Sequence, residues 1–374
     1  GYIDQFEQHL RDLNILPASI KPRATAEMQT IIRFVESLIE KEFAYVVEGD
    51  VYFRVRKFSQ YGKLSHRNVD ELRAGARISI DERKEDPLDF ALWKSAKEGE
   101  PSWQSPWGAG RPGWHIECSA MSMAHLGEQI DIHGGGIDLV FPHHENEIAQ
   151  SEALTGKPFA RYWMHNGMLQ LSGEKMSKSL GNLVTIEDFL KNHSGDVLRM
   201  MVLNSGYRNP LTFNDEIIDQ AQRGLERLQS ALKAAQPDAE GAPTATLNAL
   251  KAQSEATQAG FETCMDDDFN SAGALGNLFD LVRVINQARS EGATDEQLHP
   301  AQEVLYALSE VLGLNLRAVK QEHPADVFID MLIALRNELR GKKEWELSDR
   351  IRDELAQQGV IVEDSPKGSS WYWK

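Results

Sequence analysis

Cysteine is scarce in this chain: Cys118 and Cys264 are the only two among 374 residues. Two cysteines cannot build a disulfide framework and point to a reducing compartment, so a cytoplasmic protein is expected. No run of about 18 apolar residues occurs, and no basic-then-apolar segment opens the sequence, so no membrane span is expected. Positive charge is in deficit too, with 40 Lys and Arg against 57 Asp and Glu and a net charge of −17. That balance argues against indiscriminate nucleic-acid binding but leaves local basic patches open. One such patch lies between Arg54 and Arg77, where seven basic residues meet only Asp70 and Glu71. The remainder is an ordinary globular composition, 41% hydrophobic and 26% charged, long enough for two or three domains.

Periodicity divides the chain. Met28, Ile31, Ile32, Val35, Leu38 and Ile39 recur at three- and four-residue steps behind Thr25, which predicts a core-facing helix. From Gly49 the period becomes two, with Val51, Phe53 and Val55 predicting a strand. The stretch 101–114, PSWQSPWGAGRPGW, is read as a rigid loop because its prolines and glycines suit neither a helix nor a central strand. Short strands are expected at Ile130–His133 and Tyr162–His165. A helical pattern begins near Asn214, with 236–246 as a loop and two or three helices over 247–313. Two further helices end at Gly359, followed by short strands at Val360–Glu363 and Ser369–Trp373.

Chemistry concentrates in 114–147. Six of the eleven histidines lie between His115 and His165, among them His133, His143 and His144. If 143–154 is helical, His143 and Glu147, four apart, share a face. With Cys118 they offer a thiolate, an imidazole and a carboxylate, a set that suits zinc. Gly134, Gly135 and Gly136 follow the 130–133 strand as the expected turn into that helix, the kind of unit that binds ligands at the carboxyl end of a parallel sheet. Further on, Lys175 and Lys178 sit three apart in the loop LSGEKMSKSLGN, where two cations can reach a polyphosphate and stabilise charge moving to leaving pyrophosphate.

Taken together, KMSKS, GRPGWHIECSAM, DIHGGGIDLVFPHHENEIAQ and MDDDFN closely resemble the cysteinyl-tRNA synthetases, a family of class I aminoacyl-tRNA synthetases, over essentially the whole chain. The resemblance implies an α/β Rossmann-like catalytic domain, incomplete at its N-terminus, over 1–205, a helical bundle over 206–318 and a small α+β anticodon-binding domain over 319–374. It implies that Cys118, His143 and Glu147 are three of four ligands of one Zn2+ that binds the thiol of substrate L-cysteine. Trp114, His133 and Asp138 would border the cysteine. Gly134, Gly135, Gly136, Asp138 and Lys178 would hold ATP, used with Mg2+, and Lys175 and Lys178 would act in catalysis. Arg340, Trp345, Asp349 and Asp364 would contact the anticodon of tRNA(Cys). A monomer is expected.

One family signature does not occur: no H-x-G-H stands anywhere in the sequence. In the family that motif and a further zinc cysteine lie on a strand and helix ahead of the position of Gly1, so a protein made of this chain alone is expected to adenylate poorly. Two other readings stay open on the sequence, a ligase joining activated cysteine to an amino-sugar and an inactive tRNA-binding fragment. A zinc hydrolase built on Cys118, His143 and Glu147 is less supported, since His144-Glu145 lacks the second histidine of H-E-x-x-H.

Overall fold

The apolar stripe read behind Thr25 folds as expected. Met28, Ile31, Ile32, Val35 and Leu38 are buried on the helix Met28–Glu40, which shares a core with Val51, Phe53, Leu92 and Trp93. The computed structural model describes residues 1–70, 82–171, 174–175, 184–316, 325–365 and 368–373. Its contacts divide the chain into two units, 1–316 and 317–374.

In the first unit a five-stranded antiparallel sheet runs in the order β1 (Ala44–Val47), β2 (Asp50–Phe53), β3 (Phe90–Ser95), β5 (Gly108–Pro112) and β4 (Trp103–Ser105). The alternation expected of β2 gives way to four buried residues. Its second face is covered by the Tyr45 ring, 5.8 Å from that of Tyr52, and by Arg83, whose guanidinium donates to the Tyr52 hydroxyl at 3.3 Å. The rigid loop expected over 101–114 is corrected: most of it is a hairpin. Pro106 falls in its turn and Pro112 closes β5 opposite Trp93, positions where a missing ladder N–H costs little. Gly110 allows that approach, because a Cβ there would stand 2.2 Å from the Trp93 indole nitrogen.

From this sheet the chain enters the helix Trp114–Leu126 through Gly113, whose N–H donates to the Leu92 carbonyl at 2.8 Å. Then comes β6 (Ile130–Gly136), paired in parallel with β7 (Ala160–Asn166) in the register His133↔Trp163 and Gly136↔Asn166. The helix Glu145–Thr155 connects them, a βα unit of the expected kind. The glycine turn, however, is not a turn. Gly134, Gly135 and Gly136 extend β6, none with positive φ, and the chain turns only at Ile137–His144.

A small sheet of β8 (Leu169–Leu171), β9 (Glu174–Lys175) and β10 (Leu211–Phe213) follows. Beyond it the unit is helical, with Gly195–Leu203, Asp215–Ser230, Thr244–Asp266, Ser271–Ser290 and Asp295–Val311 as its long elements. Their core takes in Phe189, Val197, Met200 and Met201 from ahead of residue 206. Cys264 borders it, half-buried. The second unit has two helices, Asp326–Gly341 and Trp345–Gln357, and a hairpin of β11 (Val360–Ser365) and β12 (Gly368–Trp373). Among the described residues no helix is long and apolar enough to cross a membrane.

Candidate functional site

Ligands of parallel α/β units collect beyond the carboxyl ends of the strands, and the chemistry-bearing residues gather along β6 and the turn that follows it. The 114–126 helix presents Trp114, 74% exposed, and one turn on Cys118, half-buried. The 145–155 helix is unusual in that residues 145–151 are all buried, charged ones included. Glu145 is satisfied: its carboxylate accepts from the N–H groups of Gly62 at 2.9 Å, Leu64 at 3.2 Å and Ser65 at 2.8 Å. Glu147 is not. One of its oxygens lies 2.8 Å from His133 Nε2, yet the two are not aligned as a hydrogen bond, and neither atom has an aligned partner among the described residues.

Two lone-pair-bearing atoms that approach without bonding each other leave room for a shared cation. His144 joins them. Its buried ring stands 4.7 Å from that of His133, and its Nδ1 is 2.8 Å from His165 Nε2. Burial, reinforced by the neighbouring His133, pushes the His144 ring down to about 3, so it is neutral and able to ligate near pH 7. Among the described residues, His133, His144 and Glu147 are the three groups whose donor atoms lie within 4.8 Å of one another.

The expected set of Cys118, His143 and Glu147 is therefore not gathered at one point. The spacing argument assumed a helix through His143, but 140–144 is a wider turn with Phe141 extended. His143 instead packs between Trp114, at 5.4 Å, and His115, at 4.9 Å between ring centroids, with a buried Nδ1 that has no described partner. Cys118 stays close enough to feel Glu147: burial first, then the carboxylates of Glu147 and Glu117, push its thiol up to about 12. Asp138 is exposed just past β6, beside Gly136. Residue-type reasoning singled out neither His144 nor His165; the clustering of histidines was the available signal.

Of the β6 glycines, Gly135 is closely packed and Gly134 is not. A Cβ on Gly135 would lie 2.8 Å from His144 Cε1 and 3.0 Å from Leu139 Cδ1, whereas one on Gly134 meets only the Met164 carbonyl oxygen, at 3.6 Å. Gly135→Ala is expected to destabilise the protein by about 1–3 kcal/mol through overpacking. Gly134→Ala should be neutral or raise stability by up to about 1 kcal/mol, because its backbone is already extended. Thermal unfolding of the two variants checks the contrast, and equal effects would refute it.

Of the phosphate candidates, Lys175 pairs with Gln170 across β8 and β9, while Lys178 lies outside the described residues. In the second unit Arg340 donates to Asp364 at 2.6 Å and stands 5.9 Å over the Trp345 ring, which is 55% exposed. Asp349 is exposed and pairs with Arg352 at 3.3 Å. Asp364 is less available than its residue type suggested. Arg336, fully buried, grips both its oxygens at 2.6 and 2.7 Å, and Ser369 donates to it at 2.6 Å.

The model of the class I (C) tRNA synthetase catalytic domain matches residues 1–223, and that of the DALR domain matches residues 260–317. The cysteine–tRNA ligase of Dehalococcoides mccartyi strain BAV1 is 51% identical over 99% of this chain and 79% of its own length. That of Geobacillus thermodenitrificans is 50% identical over the same shares. In fold, the chain is similar to the Mycobacterium tuberculosis methionyl-tRNA synthetase in complex with methionyl-adenylate, with a TM-score of 0.53 at 17% identity over 83% of this chain and 75% of that one. With such identity along nearly all of its length, the chain belongs to the class I aminoacyl-tRNA synthetases, in the family of the cysteine–tRNA ligases.

Proposed function

We propose that the protein ligates cysteine to tRNA(Cys) in two steps. ATP and cysteine give cysteinyl-adenylate and pyrophosphate, and the terminal ribose hydroxyl of the tRNA then takes the cysteinyl group. The observation that supports this most is the buried cluster at β6, where Glu147 Oε2 and His133 Nε2 lack aligned partners and stand with His144 within 4.8 Å of one another. Such a donor set fits a zinc ion. Glu147 would hold it in company with Cys118 and His143, the ligands of the family pattern, or with His133 and His144. Bound there, zinc supplies preference for a soft thiolate over a hydroxyl.

The chain's own residues do the positioning. Trp114 walls the amino-acid pocket, and Asp138, just past the carboxyl end of β6, is set to meet the substrate ammonium or ribose. Gly134 to Gly136 let the adenosine approach the strand, and Lys175 and Lys178 hold the departing phosphates, with Mg2+ accompanying ATP. In the second unit Arg340 and Trp345 are the base-contacting pair, Arg by hydrogen bonding and Trp by stacking, with Asp349 at the helix surface beside them.

The test is cysteine-dependent pyrophosphate exchange followed by charging of tRNA(Cys). Cysteine should exceed serine by at least about 10⁴-fold, as a site that recognises a specific polar group achieves. Exchange without charging, joined to transfer onto an amino-sugar, would replace this reading by its rival.

A further inference from the structure

Three segments far apart in sequence meet at one guanidinium. Arg199, half-buried on the Gly195–Leu203 helix, donates through Nη1 to the Leu13 carbonyl at 2.7 Å. Its Nε and Nη2 donate to the Leu312 carbonyl at 3.2 and 3.0 Å. Leu13 closes the Tyr2–Asp12 helix and Leu312 closes Asp295–Val311, so both acceptors stand at helix C-termini. Carbonyls there lack intrahelical partners and carry the negative end of the helix dipole, and one fixed cation answers two ends at once. The surroundings fit this contact closely. Gly313 has φ +72°, and a Cβ there would stand 2.0 Å from Arg199 Nη2, so glycine is what leaves room for the guanidinium. The Asn14 side chain donates to the Gly313 carbonyl at 2.8 Å, and Asp196 accepts from the Asn315 N–H at 3.2 Å. Gly195 brings the start of the helix against Asp12, whose carbonyl oxygen lies 2.2 Å from where a Cβ would be.

The helix so held supports the strands that carry Lys175. Val197, Met200 and Met201 share a core with Phe189, whose ring is 5.9 Å from that of Phe213 on β10. β10 runs beside β8 in the register Phe213↔Leu171, and β8 carries β9 with Gln170 opposite Lys175. Lys175 therefore rests, through one small sheet, on the helix that Arg199 fixes. We propose that Arg199 is a positioning residue for the activation step: by capping both helices it holds the Lys175 sheet at the distance from the amino-acid site that the departing phosphates require. This rests on the ligase reading, in which Lys175 acts on ATP. Placement decides the rate because a shift of about 1 Å, caused far from the reacting atoms, can cost about 100-fold.

The experiment measures cysteine-dependent pyrophosphate exchange by the full-length protein, with kcat and the KM for cysteine resolved. Arg199→Ala should lower kcat by about tenfold while KM for cysteine stays within about twofold of wild type. Arg199→Lys keeps the charge but not the fork, and should recover part of the loss, standing about threefold below wild type. Gly313→Ala, which displaces the guanidinium without removing it, should reproduce the Arg199→Ala pattern. Leu298→Ala is the structural control, because Leu298 is fully buried in the same bundle core and makes no part of the clamp. It should lower the thermal midpoint and leave kcat of the folded protein unchanged. Where Arg199→Ala fails to fold, Arg199→Lys and Gly313→Ala carry the comparison. Full exchange in both of these, or an equal fall of kcat in Leu298→Ala, would reduce Arg199 to a cap that only stabilises the fold. Wild type without cysteine-dependent exchange would overturn the ligase reading and this proposal with it, so the two failures are told apart.

Discussion

Glu147→Gln is expected to empty the amino-acid site while leaving the fold in place. The carboxylate is 4% exposed and 2.8 Å from His133 Nε2 without bonding it, so its charge answers no described cation and is held for one that binds. Glutamine keeps the volume and removes the charge. Zinc should fall from about one per chain to a small fraction of that. Cysteine-dependent exchange should fall by more than about 100-fold, since even residues that only support metal ligands cost 10- to 100-fold. Unchanged zinc and exchange would make Glu147 a packing residue. Paired histidine variants then decide its companions. Zinc lost in His143→Ala and kept in His144→Ala favours the set with Cys118; the reverse favours His133 and His144, the pair that the folded turn brings to Glu147.

The second large effect is expected far from the chemistry. Arg336 has no exposed surface, and its guanidinium is matched by Asp364 through two bonds. Asp364→Asn would leave that charge buried and unanswered, which costs about 3–5 kcal/mol. The 317–374 unit should then unfold in a separate, lower transition, with tRNA charging lost and pyrophosphate exchange kept. A stability change under about 1 kcal/mol would rule this out. Acid should mimic the substitution. The Arg336 hydrogen bonds, with help from Ser369 and Arg340, hold the Asp364 carboxyl below the usual range. A depressed folded-state value stabilises fully above the ordinary carboxylate range, near 4, and is lost as pH falls. The unit should therefore weaken below about pH 4 in the wild type, and show less of that dependence in Asp364→Asn.

Elements whose pattern is local are legible in the sequence. The Met28–Glu40 helix announces itself because its buried residues repeat at helical steps, and the hairpin at 360–373 because two short apolar and aromatic runs, Val360–Glu363 and Ser369–Trp373, stand close together in sequence. The 103–112 hairpin is not, because proline disfavours a central ladder only where its N–H would be needed, and here Pro106 falls in the turn and Pro112 closes β5. The site shows the same divide. Residue types identify a metal-competent neighbourhood, but which donor atoms meet depends on a turn at 140–144 that no spacing rule specifies. Arg336 could have been noticed: it continues the stripe of Ile329 and Ile333, a place where an arginine is buried only with a partner. Its partner, on β11, is a tertiary fact.

The 145–155 helix is buried on all sides over its first two turns, so Glu147 can neither slide nor rotate to suit a poorer ligand. Under the proposed reading, selection then works by rejection at first encounter. Serine would dissociate before any α-phosphate is attacked, and the wrong amino acid would consume no ATP. Fidelity of this kind is a property of a stiff lattice of side chains. It would persist at low temperature and high viscosity, where an enzyme that discriminates by closing around its substrate would slow.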